Sequence, residues 1–131
     1  MDNLYTMKQV CDMTGLTYDT LKYYCIEGLV PNHKRNQSNH RMFDEKDLNW
    51  IKGLFALRNC GMSIKSMKDY MDLCMGGIET ISKRERMLEE TEMALNKELE
   101  RILEAKKYIS NKFEYYQSVI DGEIEYSSNL D

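Results

Sequence analysis

The sequence predicts a mainly α-helical protein, with a winged helix-turn-helix head followed by a long C-terminal coiled-coil helix. Three observations predict it. Two short apolar-periodic segments flank a Gly-containing turn near the N-terminus, and a second such pair follows a polar, basic stretch. From residue 79 onward apolar residues recur every seventh position, and no Gly or Pro interrupts them before Gly122. A length of 131 residues suits one domain, or a small domain plus a long helix. With 7 Gly and 1 Pro the chain is neither loop-rich nor built around a Gly-rich phosphate loop.

The first helix is expected over Thr6–Met13. Thr6 caps it, and Met7, Val10 and Cys11 share one face. Thr14-Gly15-Leu16 reads as a turn. Thr17 restarts the chain as a second helix whose first turn holds Asp19 and Thr20, an acid placed at the positive helix start. Leu21, Tyr24 and Cys25 give its inner face, Gly28 ends it and Pro31 forbids continuation. The two helix starts are spaced as in a helix-turn-helix unit. Thr17, Tyr18, Thr20, Lys22 and Tyr23 are left on the outer face. Hydroxyls, aromatic rings and a cation of this kind reach phosphates and base edges when a helix lies in a major groove.

Residues 31–43 hold Lys34, Arg35, Arg41, His33 and His40 and no acid. This stretch reads as a short hairpin or loop, either a solvated connection or a wing along a phosphate backbone. Asp44 caps a third helix with Asp47 as its N3 acid. Leu48, Ile51, Leu54, Phe55 and Leu57 or Arg58 form its stripe, and Gly61 ends it. Ser63 caps a fourth helix with Ile64, Met67, Tyr70, Met71 and Cys74 facing inward, closed by Gly76-Gly77. Met62, Met67, Met71 and Met75 crowd this region, as a core or as a plastic apolar pocket.

Ile81, Leu88, Leu95, Ile102, Ile109 and Tyr116 then recur at a spacing of seven. Leu99, Phe113 and Ile120 add a neighbouring seam in which Lys106 is the exception. Residues 79–117 would make a rod of roughly 58 Å. A single helix of that length cannot bury its own stripe, so a homodimer is expected. The head is assigned to residues 1–77, with the helix-turn-helix at 6–28, the wing at 31–43 and the second helical pair at 44–75. The dimerisation helix is assigned to 78–120 and a polar, frayed tail to 121–131.

Charge divides along the same line. Residues 1–77 carry 10 basic and 9 acidic side chains, whereas residues 78–131 carry 8 and 13. An acidic chain is a poor generic nucleic-acid binder, but a near-neutral head with a basic segment can bind DNA. The start MDNLYTMKQV lacks a signal pattern, and no stretch approaches the roughly 18 apolar residues of a membrane span. A cytoplasmic chain with no membrane partner is expected. The 4 cysteines, 11, 25, 60 and 74, are too scattered for a disulfide framework and fit a reducing compartment. His33 and His40 have no nearby acid, and no nucleophile–base constellation stands out, so an enzyme is not expected.

The run YTMKQVCDMTGLTYDTLKYYCIEGLV and the block RMFDEKDLNWIKGLFALRNCGMSIKSMKDYM together resemble the N-terminal signature of MerR-family transcription regulators. The Leu-Lys-Tyr-Tyr of 21–24 with Glu27-Gly28-Leu29, the Arg-Met-Phe of 41–43 and the Leu-Arg-x-x-Gly-Met-Ser of 57–63 carry the resemblance. It implies a winged helix-turn-helix, a second wing made by a helical pair, and an antiparallel coiled-coil homodimer. It also implies binding to an inverted repeat in promoter DNA, which is distorted for use by RNA polymerase. By position, Thr17, Tyr18, Lys22 and Tyr23 would sit in or over the groove. Tyr24 would be shared between core and phosphate, and Lys34, Arg35 and Arg41 would serve the first wing. Ser63 and Lys65 would serve the second. The dimer seam would be Ile81, Leu88, Leu95, Leu99, Ile102, Ile109, Phe113 and Tyr116.

The sequence departs from the family pattern in Lys22 for Arg, Phe43 for Tyr, Asn39-His40 for Gly-Tyr and Cys25 for an acid. These changes bear on sequence preference, since Lys is a weaker planar recogniser than Arg. Metal- and redox-sensing relatives keep cysteines at and beyond the long helix, where this chain has none after Cys74. No metal or other cofactor is therefore expected. Relatives that respond to aldehyde or thiol stress carry a lone cysteine where Ala56 stands, one turn before Cys60. If an inducer is thiol-reactive, Cys74 and Cys60 are the candidate sensors; a small apolar inducer is the other reading. The alternative in another class is a coiled-coil adaptor whose head binds protein. The basic wing and the polar face of the second helix count against it.

Overall fold

The computed structural model describes residues 3–128. Local capping chemistry defines the ends of its helices. β1 (Tyr5–Thr6) leads into α1 (Met7–Thr14) through a complete capping box. The Thr6 hydroxyl accepts from the Gln9 amide at 3.2 Å, and the Gln9 side chain accepts from the Thr6 amide at 2.8 Å. Gly15, at φ 83°, closes α1 in the left-handed region and donates to the Cys11 carbonyl. Thr17 then caps α2 (Tyr18–Ile26).

β2 (Lys34–Arg35) and β3 (Arg41–Phe43) form the expected hairpin. The sheet has a third member, because β1 pairs antiparallel with β3 and the strand order is β1-β3-β2. A two-residue strand shows no alternation, so β1 leaves no sequence signal. The register sets Tyr5 against Phe43 and Arg35 against Arg41. Asn36 organises the turn, its side chain accepting from the amides of Ser38 and His40. Asn39 sits at φ 63°, which Asn tolerates better than most residues. That explains how Asn stands where the resemblance leads one to expect Gly.

Asp44 and Asp47 cap α3 (Glu45–Asn59) reciprocally, and Ser63 caps α4 (Ile64–Met75). The core gathers Val10, Leu21, Tyr24, Leu29, Val30, Phe43, Leu48, Ile51 and Met67 from α1 to α4, the sheet and the turn after α2, all nearly solvent-free. Each large side chain buried there contributes about 1.5–3 kcal/mol. Trp50 closes one side, donating its indole N–H to the Leu29 carbonyl at 2.7 Å. The inward stripe expected for α4 holds only in part. Met67 is buried, while Ile64, Tyr70, Met71 and Cys74 are half-buried. Tyr70 and Met71 open on an apolar cavity of about 160 Å³ between α3 and α4, which Trp50, Gly53, Leu54, Leu57 and Met67 also line.

α5 spans Ile81–Ile120 after a 3₁₀ turn at Ile78–Thr80. By its contacts the chain forms two compact units, Met1–Glu92 and Met93–Asp131, and α5 runs through both. The first turns of α5 are tied into the first unit. Thr80 donates to the Leu73 carbonyl, and Arg84 donates to Thr80 at 2.9 Å and to the Gly77 carbonyl. No residue of α5 is buried. In the second unit the described part of the tail meets α5 at one point. The Tyr115 hydroxyl accepts from the Ser127 amide at 2.7 Å and donates to the Ser127 carbonyl at 2.8 Å. Residues 129–131 of the expected tail lie outside the described residues. Among the described residues no helix is long and apolar enough to cross a membrane.

Candidate nucleic-acid interface

The second helix presents its outer face as the sequence implies. Thr17, Tyr18, Lys22 and Tyr23 are exposed and Thr20 is half-buried. Tyr18 is 54% exposed. The Thr17 side chain is partly committed, because its oxygen accepts from the Thr20 amide at 3.2 Å and its hydroxyl bonds that of Thr20. Tyr24 takes the inner-face place that the helix periodicity gives it, with little surface left for a phosphate contact. It is 2% exposed, and burial pushes its hydroxyl pKa up. Its ring belongs to the core, about 100° around the helix from the exposed Tyr23.

The wing cations divide into two kinds. Lys34 is matched within the protein, pairing with Asp44 at 2.8 Å and with Asp47 at 3.1 Å and donating to the Asn32 carbonyl. Asp47 is 4% exposed, and this pairing together with the reciprocal cap satisfies its carboxylate. The bonds from Lys34 and from the Asp47 amide hold the Asp44 carboxyl down at about 2. Lys34 therefore fastens the wing to the start of α3. Arg35 donates to the Asn39 carbonyl at 2.8 Å and keeps no acidic partner. Arg41 is half-buried, and its Nε has no partner.

Tyr18, Arg35 and Arg41 meet in one concave surface of about 240 Å³, with Lys8, Asn36 and His40 also lining it and no acid among the lining residues. The structure thus joins the start of α2 to the wing. His40 belongs to the basic segment read from the sequence, whereas Lys8 and Asn36 are additions to it. Their signal was the absence of acids around the α1 start and the wing turn. Ser63 and Lys65 do not line this surface. Ser63 caps α4 by accepting from the Ser66 amide at 3.1 Å, and Lys65 is exposed in an acid-free first turn, which suits an anion. Lys68 of α4 pairs with Glu27 at the end of α2 at 2.6 Å, linking the two helical pairs.

All 4 cysteines are free thiols. Cys25 is buried and burial pushes its thiol up to about 11, while burial and Asp12 raise Cys11. Cys60 caps the end of α3 and Cys74 lies beside Tyr70, both half-buried. Among the described residues no three His, Cys, Asp or Glu side chains are gathered as a metal site requires.

A short capped helix pair, an exposed second helix, a β-hairpin beside it and a further capped pair define a winged helix-turn-helix head. Residues 5–74 match the family of MerR HTH regulatory proteins. The chain belongs to that family. It is 34% identical over 116 residues to an uncharacterised HTH-type transcriptional regulator of Haemophilus influenzae, covering 86% of this chain and 84% of the relative. Among solved structures it resembles HiNmlR, a MerR family regulator lacking the sensor domain, bound to promoter DNA. That match has a TM-score of 0.75 and 31% identity, covering 91% of this chain and 90% of that one. A MerR family transcriptional regulator from Bacillus thuringiensis matches with a TM-score of 0.73 and 31% identity, over 87% of this chain and 100% of that one.

Proposed function

We propose that this protein is a homodimeric transcription regulator of the cytoplasm that binds an inverted-repeat operator in promoter DNA and distorts it for RNA polymerase. The observation that carries the reading is the acid-free surface joining Tyr18 to Arg35 and Arg41. Unmatched cations beside an exposed helix face attract phosphates and hold that helix at base edges. Thr17, Tyr18, Thr20, Lys22 and Tyr23 read or brace the major groove. Arg35 and Arg41 contact the flanking backbone, and Ser63 and Lys65 add a second backbone contact. Lys34 contributes by holding the wing in place. The exposed stripe of α5 supports the homodimer, since apolar side chains at seven-residue spacing on a long helix are stable only when a second helix covers them. HiNmlR, similar over nine-tenths of both chains, supports the DNA partner.

The test is selection of duplexes from a random pool, followed by footprinting of those enriched. The proposal expects an inverted repeat protected on one face. Absence of enrichment at low salt would leave the coiled-coil adaptor as the better reading.

A further inference from the structure

The dimer seam of α5 is not apolar throughout. Every seventh residue from Ile81 to Tyr116 is apolar or aromatic, but the column four positions on reads Glu85, Glu92, Leu99, Lys106, Phe113 and Ile120. Glu85, Glu92 and Lys106 are exposed, and none has an ion-paired or hydrogen-bonded side-chain partner among the described residues. A charge in such a seam is costly unless an opposite charge meets it, and in return it discriminates between partners.

A parallel pair of α5 helices would set each of these charges against its own copy, giving three like-charge layers. Antiparallel pairing interlocks the two columns in registers that differ by seven residues. With Leu99 opposite the partner's Ile109, the two copies of Lys106 fall in adjacent layers and repel. With Leu99 opposite the partner's Leu95, Tyr116 and Ile120 overrun the start of the partner's α5. With Leu99 opposite the partner's Ile102, Ile81 meets the partner's Ile120, so the first and last residues of α5 are matched. Lys106 then lies opposite the partner's Leu95. The partner's Glu92 is three residues further, about 4.5 Å along the axis and within reach of the lysine stem. Glu85 faces the partner's Tyr116, whose hydroxyl can donate to it.

We infer that a second copy of this chain covers the α5 stripe in this end-matched antiparallel register, and that Lys106 with the partner's Glu92, present twice by symmetry, fixes the register and selects the partner. This inference rests on the homodimer reading above and adds its pairing rule. The same rule would keep the chain from pairing with coiled coils that lack the complementary charges.

Sedimentation equilibrium of full-length variants tests it. Glu92→Lys and Lys106→Glu should each raise the dimer dissociation constant roughly tenfold or more, because each places like charges in two layers. The double variant Glu92→Lys, Lys106→Glu should dimerise like the wild type. An equal mixture of the two single variants should form heterodimers. Circular dichroism follows folding, and helix lost in a single variant and regained on mixing counts for the inference. Single variants that dimerise as tightly as the wild type would overturn it. So would rescue of Lys106→Glu by Glu85→Lys instead of Glu92→Lys, which marks the shorter register, and so would failure of both rescues. A monomeric wild type would instead remove the homodimer reading on which the inference rests.

Discussion

The head and the second half of α5 solve the problem of apolar surface in opposite ways. In the head, α1 to α4 and a three-stranded sheet enclose Tyr24, Phe43, Leu21 and their neighbours, and side chains cap the starts of all four helices. Along α5, Leu95, Ile102 and Ile109 remain between 41% and 52% exposed, and no residue is buried. One region has satisfied its hydrophobic stripe internally, and the other carries a stripe that stays exposed. The proposed function puts recognition on the closed region and assembly on the open one. Damage to each should therefore be separable.

The largest effect that breaks the comparison is expected from Leu95→Asp. An unpaired carboxylate in the seam should abolish dimerisation in sedimentation and tight operator binding with it. Trp50 is the single tryptophan and hydrogen-bonds within the head, so its fluorescence should report a head that still unfolds as in the wild type. A Leu95→Asp protein that stays dimeric would overturn the heptad register. Leu21→Ala is the converse. It should destabilise the head by about 2–5 kcal/mol in Trp50-monitored urea unfolding, while the native protein keeps its sedimenting mass. An equal loss of mass would mean that the two regions are not separable.

Smaller substitutions sharpen the contrast within the head. Arg41→Ala should weaken binding to all DNA sequences and reduce the salt slope by about 1, whereas Lys34→Ala should lower stability and leave the slope unchanged. A slope change in Lys34→Ala would return that lysine to the interface. The smallest effect concerns Asp44. Its folded pKa is depressed, from 3.8 to about 2, so its contribution is present above the unfolded value and is lost as pH falls through that window. Urea midpoints of the wild type should drop between pH 4 and pH 2, and Asp44→Asn, which keeps a good helix cap, should flatten that part of the drop.

Much of this was readable beforehand because it is local. Thr6, Thr17, Asp44 and Ser63 mark helix starts by chemistry confined to three or four residues, and the seven-residue repeat is a property of one segment. What escaped is what depends on distant partners. β1 exists only because β3 lies beside it. Lys34 looked like a free wing cation because its acids are ten and thirteen residues further on, brought to it by the turn into α3. The surface shared by Tyr18, Arg35 and Arg41 needs three elements in register, which no single stretch of sequence encodes.

Recognition of one operator by two heads joined through α5 is the central proposal. The direct measurement is the mass of the full-length protein on a selected duplex by sedimentation velocity. Two chains on each duplex, present as a dimer before DNA is added, is the result expected. One chain per duplex, or a monomer that binds as tightly, would contradict it.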